Sequence, residues 1–187
     1  MHLPMTYPKA LANVVLPGLL SLWIPATQAV QLNFSAVLSP STCTFSLSEG
    51  TVSLGSLSVS SLQPATLVGA RPFNLKVTNC SGIEETLTPV VNITGDGITQ
   101  DGRWLFRSAD SVASNVGVML VNSSVMPDYS RPEVKNGDSL PLTVQAGRPT
   151  DQNIAFYAGA TCGGASGCAN VGMGTILARV TFSLDYR

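Results

Sequence analysis

The side chains able to do covalent, metal or acid–base chemistry in this sequence are few: Cys43, Cys80, Cys162 and Cys168, the adjacent carboxylates Glu84 and Glu85, the aspartates Asp96 and Asp101, and one histidine, His2. A structural zinc site would need all four cysteines to converge with C-x-x-C spacing, and that spacing is absent. An even cysteine count fits disulfides made in an oxidising compartment, with three pairings open. Separation along the chain favours Cys43 with Cys80, closing a loop of about forty residues and contributing roughly 3–4 kcal/mol. It likewise favours Cys162 with Cys168 across the Gly-rich stretch CGGASGC. Glu84 and Glu85 are sequence neighbours, as in a solvated turn, and not the spaced carboxylate pair of a glycosidase. Asp96 and Asp101 read as turn residues, with extracellular calcium as the minor alternative. No G-x-S-x-G, P-loop, dinucleotide glycine pattern or EF-hand loop occurs, and Gly172-x-Gly174 feeds a strand, where it offers no helix N-terminus to a phosphate. Asn33, Asn92 and Asn122 head N-x-S/T triplets that matter only on a eukaryotic secretory route. The expectation is therefore no enzyme, no cofactor and no metal.

The elements that must position these residues begin after a leader. Lys9 precedes an apolar, uncharged run too short and too Pro-interrupted to span a bilayer, and Thr27-Gln28-Ala29 follows it. Residues 1–29 read as a secretory signal peptide cleaved after Ala29, leaving 30–187 as one domain. His2 leaves with the leader, and with it the commonest general base. The whole chain carries ten basic and eleven acidic residues, and only Lys9 of the charged groups lies in the leader. A near-neutral remainder without a Lys/Arg cluster argues against nucleic acid as a partner.

Beyond the leader the pattern is one of short strands. They are expected at 31–38, 42–47, 51–59 with a phase slip at Gly55, 72–80, 88–94, 104–106, 116–121, 140–144 and 153–157, separated by Gly and Pro turns. Cys80 falls out of phase with Phe73, Leu75 and Val77, which a bend near Asn79 would explain. Interior Gly117 signals a close backbone approach. Trp104 is expected in the core, with a sugar-stacking platform as the minor alternative. No amphipathic helix of three turns is present, so the fold class is all-β, a sandwich. The last stretch, 174–187, has the clearest alternation: Ile176, Ala178, Val180, Phe182, Leu184 and Tyr186 form one apolar face, and the odd positions are polar apart from Leu177. Six inward residues on a strand that ends the sequence call for a cover that no later residue supplies.

These features resemble the pilin subunits of chaperone-usher fimbriae, above all the type 1 kind. The matching residues are Cys43-Thr44-Phe45, Val52-Ser53-Leu54-Gly55, Pro72-Phe73-Asn74-Leu75 running to Cys80-Ser81-Gly82, Gly95-Asp96-Gly97, Asn115-Val116-Gly117-Val118, Asp151-Gln152-Asn153-Ile154-Ala155-Phe156-Tyr157, and the tail. The tail is the most specific part: in that family a glycine stands fourteenth from the C-terminus and a tyrosine penultimate, as Gly174 and Tyr186 do. Cys43 and Cys80 match the family's single bridge.

The resemblance implies an incomplete immunoglobulin-like sandwich lacking its last strand and completed by donor-strand addition. An acceptor groove would be bordered by Gly174, Ile176, Ala178, Val180, Phe182, Leu184 and Tyr186, with the Arg187 carboxylate held by a periplasmic chaperone. Further implied partners are an outer-membrane usher, neighbouring pilin subunits and a host-surface glycan or protein receptor. The implied location is the extracellular fimbrium, reached through the periplasm. Two departures stand out. Cleavage after Ala29 leaves only Val30 and Gln31 as a donor segment, which implies a terminal, tip position, and the Cys162 to Cys168 pair is absent from the ordinary major subunit. The alternative of another class is a freestanding secreted carbohydrate-binding β-sandwich.

Overall fold

Alternation at Phe73, Leu75 and Val77 dries one face of an extended segment, and the same two-residue period recurs along the chain. The computed structural model describes residues 41–82 and 85–187. The leader, the strand expected at 31–38, Asn33 and Glu84 lie outside them. The described residues form β1 (Ser41–Leu47), β2 (Val68–Gly82), β3 (Pro89–Thr94), β4 (Gly97–Gln100), β5 (Arg103–Phe106), β6 (Gly117–Asn122), β7 (Ser139–Pro141), β8 (Val144–Gln145), β9 (Arg148–Pro149), β10 (Gln152–Thr161) and β11 (Thr181–Tyr186). Among the described residues helix is confined to a 3-10 turn at Val59–Ser61 and a single turn, α1, at Ala165–Cys168. The fold class is all-β, as expected.

All ladders among the described residues are antiparallel. One sheet runs in the order β1-β2-β10-β6-β5-β4, a second in the order β11-β3-β7, and β8-β9 is a separate hairpin. Side chains of both larger sheets meet in one core: Phe73, Leu75 and Val77 of β2, Phe156 of β10, Phe106 of β5 and Leu120 of β6 face Val91 and Ile93 of β3. Phe73 and Phe156 stack with ring centroids 5.4 Å apart, and Phe182 of β11 lies 5.4 Å from Phe156. Those three rings link the two sheets.

The irregularity at Cys80 is a bulge. Thr42 pairs with Ser81 and Thr44 with Thr78, so Cys43 alone stands opposite both Asn79 and Cys80. Asn79 takes a left-handed φ of 53°, which rephases the strand and lets the Cys43–Cys80 disulfide form across the bulge. Gly117 is a close-approach position: a Cβ there would sit 2.7 Å from Leu105 Cβ on β5.

The apolar run 116–121 is explained by burial on both faces of its sheet. Leu120 points to the core between sheets, while Met119 and Val121 join Leu105 in a second cluster on the outer face, covered by Leu67, Ile98 and Tyr129. Arg103 holds that cover down. Its guanidinium donates to the carbonyls of Tyr129, Ser130 and Arg131 at 3.2–3.4 Å, lies 5.1 Å from the Tyr129 ring centre, and is ion-paired with buried Glu133. Glu133 Oε1 also accepts from Trp104 N–H at 3.3 Å and lies 3.4 Å from Lys135 Nζ. Burial opposes the charge on Glu133, but the hydrogen bonds from Arg103 and the backbone outweigh it and hold the carboxyl below the ordinary glutamate range. A depressed folded-state value contributes stability that is complete above the ordinary glutamate pKa of about 4.3 and is lost as pH falls through the folded value. Glu133→Gln is expected to destabilise by about 1–3 kcal/mol near neutrality and to flatten the acid limb of a urea-midpoint-against-pH curve. An unchanged acid limb would remove Glu133 from that role.

Three expectations need correction. The stretch 51–59 keeps its apolar phase at Val52, Leu54 and Leu57, all half-buried, with the slip at Gly55 (φ 77°), but among the described residues it joins no ladder, and Val59 opens the 3-10 turn. The strand expected over 174–187 is a ladder only at Thr181–Tyr186. The strand expected at 140–144 is split between β7 and the hairpin β8-β9, which was not foreseen: its turn residues Ala146 and Gly147 both have positive φ (50° and 71°), a two-residue hairpin turn for which Ala gives no sequence signal.

Candidate functional site

The alternation of 174–187 survives folding in an informative form. Ile176, Ala178, Val180, Phe182, Leu184 and Tyr186 all face inward, and all are only half-buried, whereas Val91 and Ile93 on neighbouring β3 are fully buried. The dry face therefore lacks part of its cover.

The backbone has the same one-sided character. In an extended chain successive residues point their N–H and C=O groups to opposite sides. Thr175 O accepts from Val112 N–H (2.8 Å) and Ala113 N–H (3.1 Å). Leu177 donates its N–H to Ser111 Oγ (3.0 Å), and its carbonyl accepts from Ser108 N–H (2.7 Å) and Ser111 O–H (2.9 Å). Farther on, Thr181, Ser183 and Asp185 stand opposite Thr94, Asn92 and Val90, and Arg187 exchanges both backbone bonds with Thr88. The odd-numbered residues thus bond on one side, first to the loop 108–113 and then to β3. The even-numbered backbone faces the other side, where β11 is the outer strand of its sheet. Among the described residues Ile176, Ala178 and Val180 have no hydrogen-bond partner.

Facing this edge is a second one. Among the described residues β1 is the outer strand of the six-stranded sheet, and its continuation, 49–59, joins no ladder. Between the two lips lies a groove of about 1280 Å³, floored by Phe73, Phe106, Val116, Val118, Leu120 and Ala158. That exceeds the ~300–1,000 Å³ of small-molecule pockets. An elongated apolar floor between two strand edges suits an extended peptide, which can satisfy backbone groups on both sides and bury alternate side chains below.

Gly174, Ile176, Ala178, Val180 and Phe182 line this groove. Leu184 continues the same face against the main core, Tyr186 lies opposite Pro89, and Arg187 lies opposite Thr88 with Asp185 3.9 Å from its guanidinium. Gly174 is required by shape: its φ is +142°, and a Cβ there would lie 2.7 Å from Ala113 N. Arg179, on the wet face, makes a two-pronged ion pair with Asp110 (2.8 Å for each contact), which holds the Asp110 carboxyl below its ordinary value. Sequence reading missed the lip 49–59 as a groove wall, although the period of Val52 and Leu54 and the slip to Leu57 carried the signal. It also missed the loop 108–113, whose polar residues show no pattern.

One end of the groove is lined by Leu62, Val116, Val171 and Ile176, part of a third cluster of apolar side chains that contains Cys162, disulfide-bonded to Cys168. Asp101, expected as a turn residue with calcium as the minor alternative, does turn the β4-β5 hairpin (φ 49°) and also accepts from Gly167 N–H at 3.0 Å. That bond, with those from Ser166 and Gly164, holds its carboxyl below the usual aspartate range. Trp104 packs edge-to-face on Phe106 at 6.1 Å as part of the core wall.

Two solved structures are similar to this chain over nearly all of their own length. The crystal structure of the P pilus rod subunit PapA matches with a TM-score of 0.51 and 17% identity, covering 84% of this chain and 99% of that one. The Burkholderia pseudomallei antigen and type I fimbria protein BPSL1626 matches with a TM-score of 0.51 and 18% identity, covering 78% and 99%. The fold is that of a pilus subunit. At these identities the likeness is one of fold, and neither a protein-family model nor a curated protein matches the chain. Within the pilus-subunit fold the two unpaired lips and the half-covered face of 174–182 are features of this chain's own geometry.

Proposed function

We propose that the protein is a structural or tip subunit of a chaperone-usher fimbria that contributes to bacterial adhesion. Its groove accepts an extended strand, first from a periplasmic chaperone and then from a neighbouring subunit, after export of residues 30–187. The observation that carries this reading is the unpaired, even-numbered backbone edge of Ile176, Ala178 and Val180 above an apolar groove whose opposite lip also lacks a ladder. A protein with that groove empty leaves apolar surface and backbone groups uncovered, a combination that favours aggregation.

The test is periplasmic expression of the full chain, with and without a co-expressed fimbrial chaperone. Recovery of a one-to-one complex, and aggregation in its absence, is the expected result. An equal yield of soluble monomer without the chaperone, with a melting temperature that an added strand peptide does not raise, would overturn strand acceptance. N-terminal sequencing of the exported protein is expected to begin at Val30; twelve or more residues before Leu32 would overturn the tip position.

A further inference from the structure

The Cys162–Cys168 disulfide lies where both lips of the groove are anchored. On one side Gly163 O accepts from Ala65 N–H at 2.8 Å, beyond the end of the lip 49–59. Leu54 and Leu57 of that lip pack into the cluster that contains Cys162. On the other side Val171 and Ile176, from the second lip, pack into the same cluster. A chain of hydrogen bonds runs from the hairpin tip to that second lip. Gln100 Nε2 donates to Cys162 O (2.7 Å) and Asn115 O (3.0 Å), Asn115 Nδ2 donates to Asn170 O (2.7 Å), and Gly172 N–H donates to Ser114 O (3.2 Å).

The glycines of CGGASGC are what let this happen. A Cβ on Gly167 would overlap both Gln100 Nε2 and Cys162 O, and one on Gly164 would lie 3.1 Å from the Asp101 side chain. The loop therefore packs backbone-on against the hairpin, and the disulfide holds it in the one turn that keeps Gly167 N–H on Asp101.

We propose that the Cys162–Cys168 bridge and Asp101 are positioning groups that fix the separation of the two lips at the Cys162 end of the groove, and so set the affinity for the end of the strand that reaches it. This rests on the strand-accepting reading above. Neither group touches the inserted strand; they act through Val171, Ile176 and the lip 49–59. Loss of either widens that end and weakens capture there, leaving the Phe182 end unaffected.

The probe is a synthetic peptide alternating Val with Thr over about twelve residues, which spans roughly 40 Å at ~3.3 Å per residue, and two versions shortened from either end. Binding to the refolded chain is measured for wild type, C162A/C168A and Asp101→Ala, the last keeping the bridge. The expected result is about tenfold weaker binding of the full peptide to both variants, from lost preorganisation. One of the two shortened peptides, the one that no longer reaches the Cys162 end, should bind all three proteins equally. Equal loss for both shortened peptides, or no loss for Asp101→Ala, would overturn the positioning role. If wild type captures no peptide, the strand-accepting reading fails together with this one, whereas capture by wild type with unchanged variants overturns this one alone.

Discussion

Saturating the refolded protein with an alternating apolar peptide is expected to raise its melting temperature by about 5–10 °C. The figure follows from linkage: a ligand that binds only the folded state at a hundred times its dissociation constant stabilises by about 2.7 kcal/mol, and a domain of this size gains roughly 2–4 °C per kcal/mol. The gain depends on the groove's being dry below and open at both edges. Val180→Asp places a carboxylate over the floor of Phe106 and Leu120 without a partner, and should reduce capture by about a hundredfold, since burying an unpaired charge is disfavoured by several kcal/mol. Arg179→Ala, one residue away on the wet face, removes only an exposed ion pair and should change capture little. Thermal scans with peptide present and absent read both outcomes.

Phe156→Ala is expected to be the most damaging single truncation, at about 3–5 kcal/mol in urea denaturation. Phe156 has no exposed surface and stacks on Phe73, while the Phe182 ring approaches it from the opposite sheet at 5.4 Å. Removing it empties the place where the two sheets meet. Phe182→Ala should be milder, because its ring is half-exposed along the groove and gives up less buried surface. Occupying the groove with the strand peptide covers Phe182 and should enlarge the cost of its truncation, leaving that of Phe156→Ala nearly unchanged. Equal costs for the two substitutions in the empty protein would contradict the view that the groove face is incompletely covered.

Much of the fold was legible because the two-residue period is a direct consequence of strand geometry, and it is plain at 73–77, 90–94 and 176–186. The bulge at Cys80 was legible as an anomaly, since a cysteine out of phase with its strand must be rephased if it is to reach a partner. The tail was legible as a face needing cover, because alternation reports orientation whether or not a neighbour is present. Alternation does not report pairing, and this is why 51–59 and 174–180 read as strands although neither joins a ladder. It is also why the groove between them could be inferred from only one side. Asp101 illustrates a second limit. Its place in a turn followed from the Gly after it, but its grip on Gly167 depends on two loops 66 positions apart meeting through glycines whose role appears only once a Cβ is tried there. The Arg103–Glu133 pair was hidden for the same reason, since a buried charge pair made by residues far apart in sequence has no local pattern.

If the groove accepts a strand, as proposed, the backbone of Ile176, Ala178 and Val180 is the edge that the strand fills. Amide hydrogen exchange on the refolded chain, with and without the alternating peptide, tests it residue by residue. The account predicts that Leu177, whose N–H is held by Ser111, is slow in both states, while Ile176, Ala178 and Val180 exchange fast when the groove is empty and become slow when it is filled. Protection of those three amides in the empty protein, or none gained on adding peptide that binds, would contradict it.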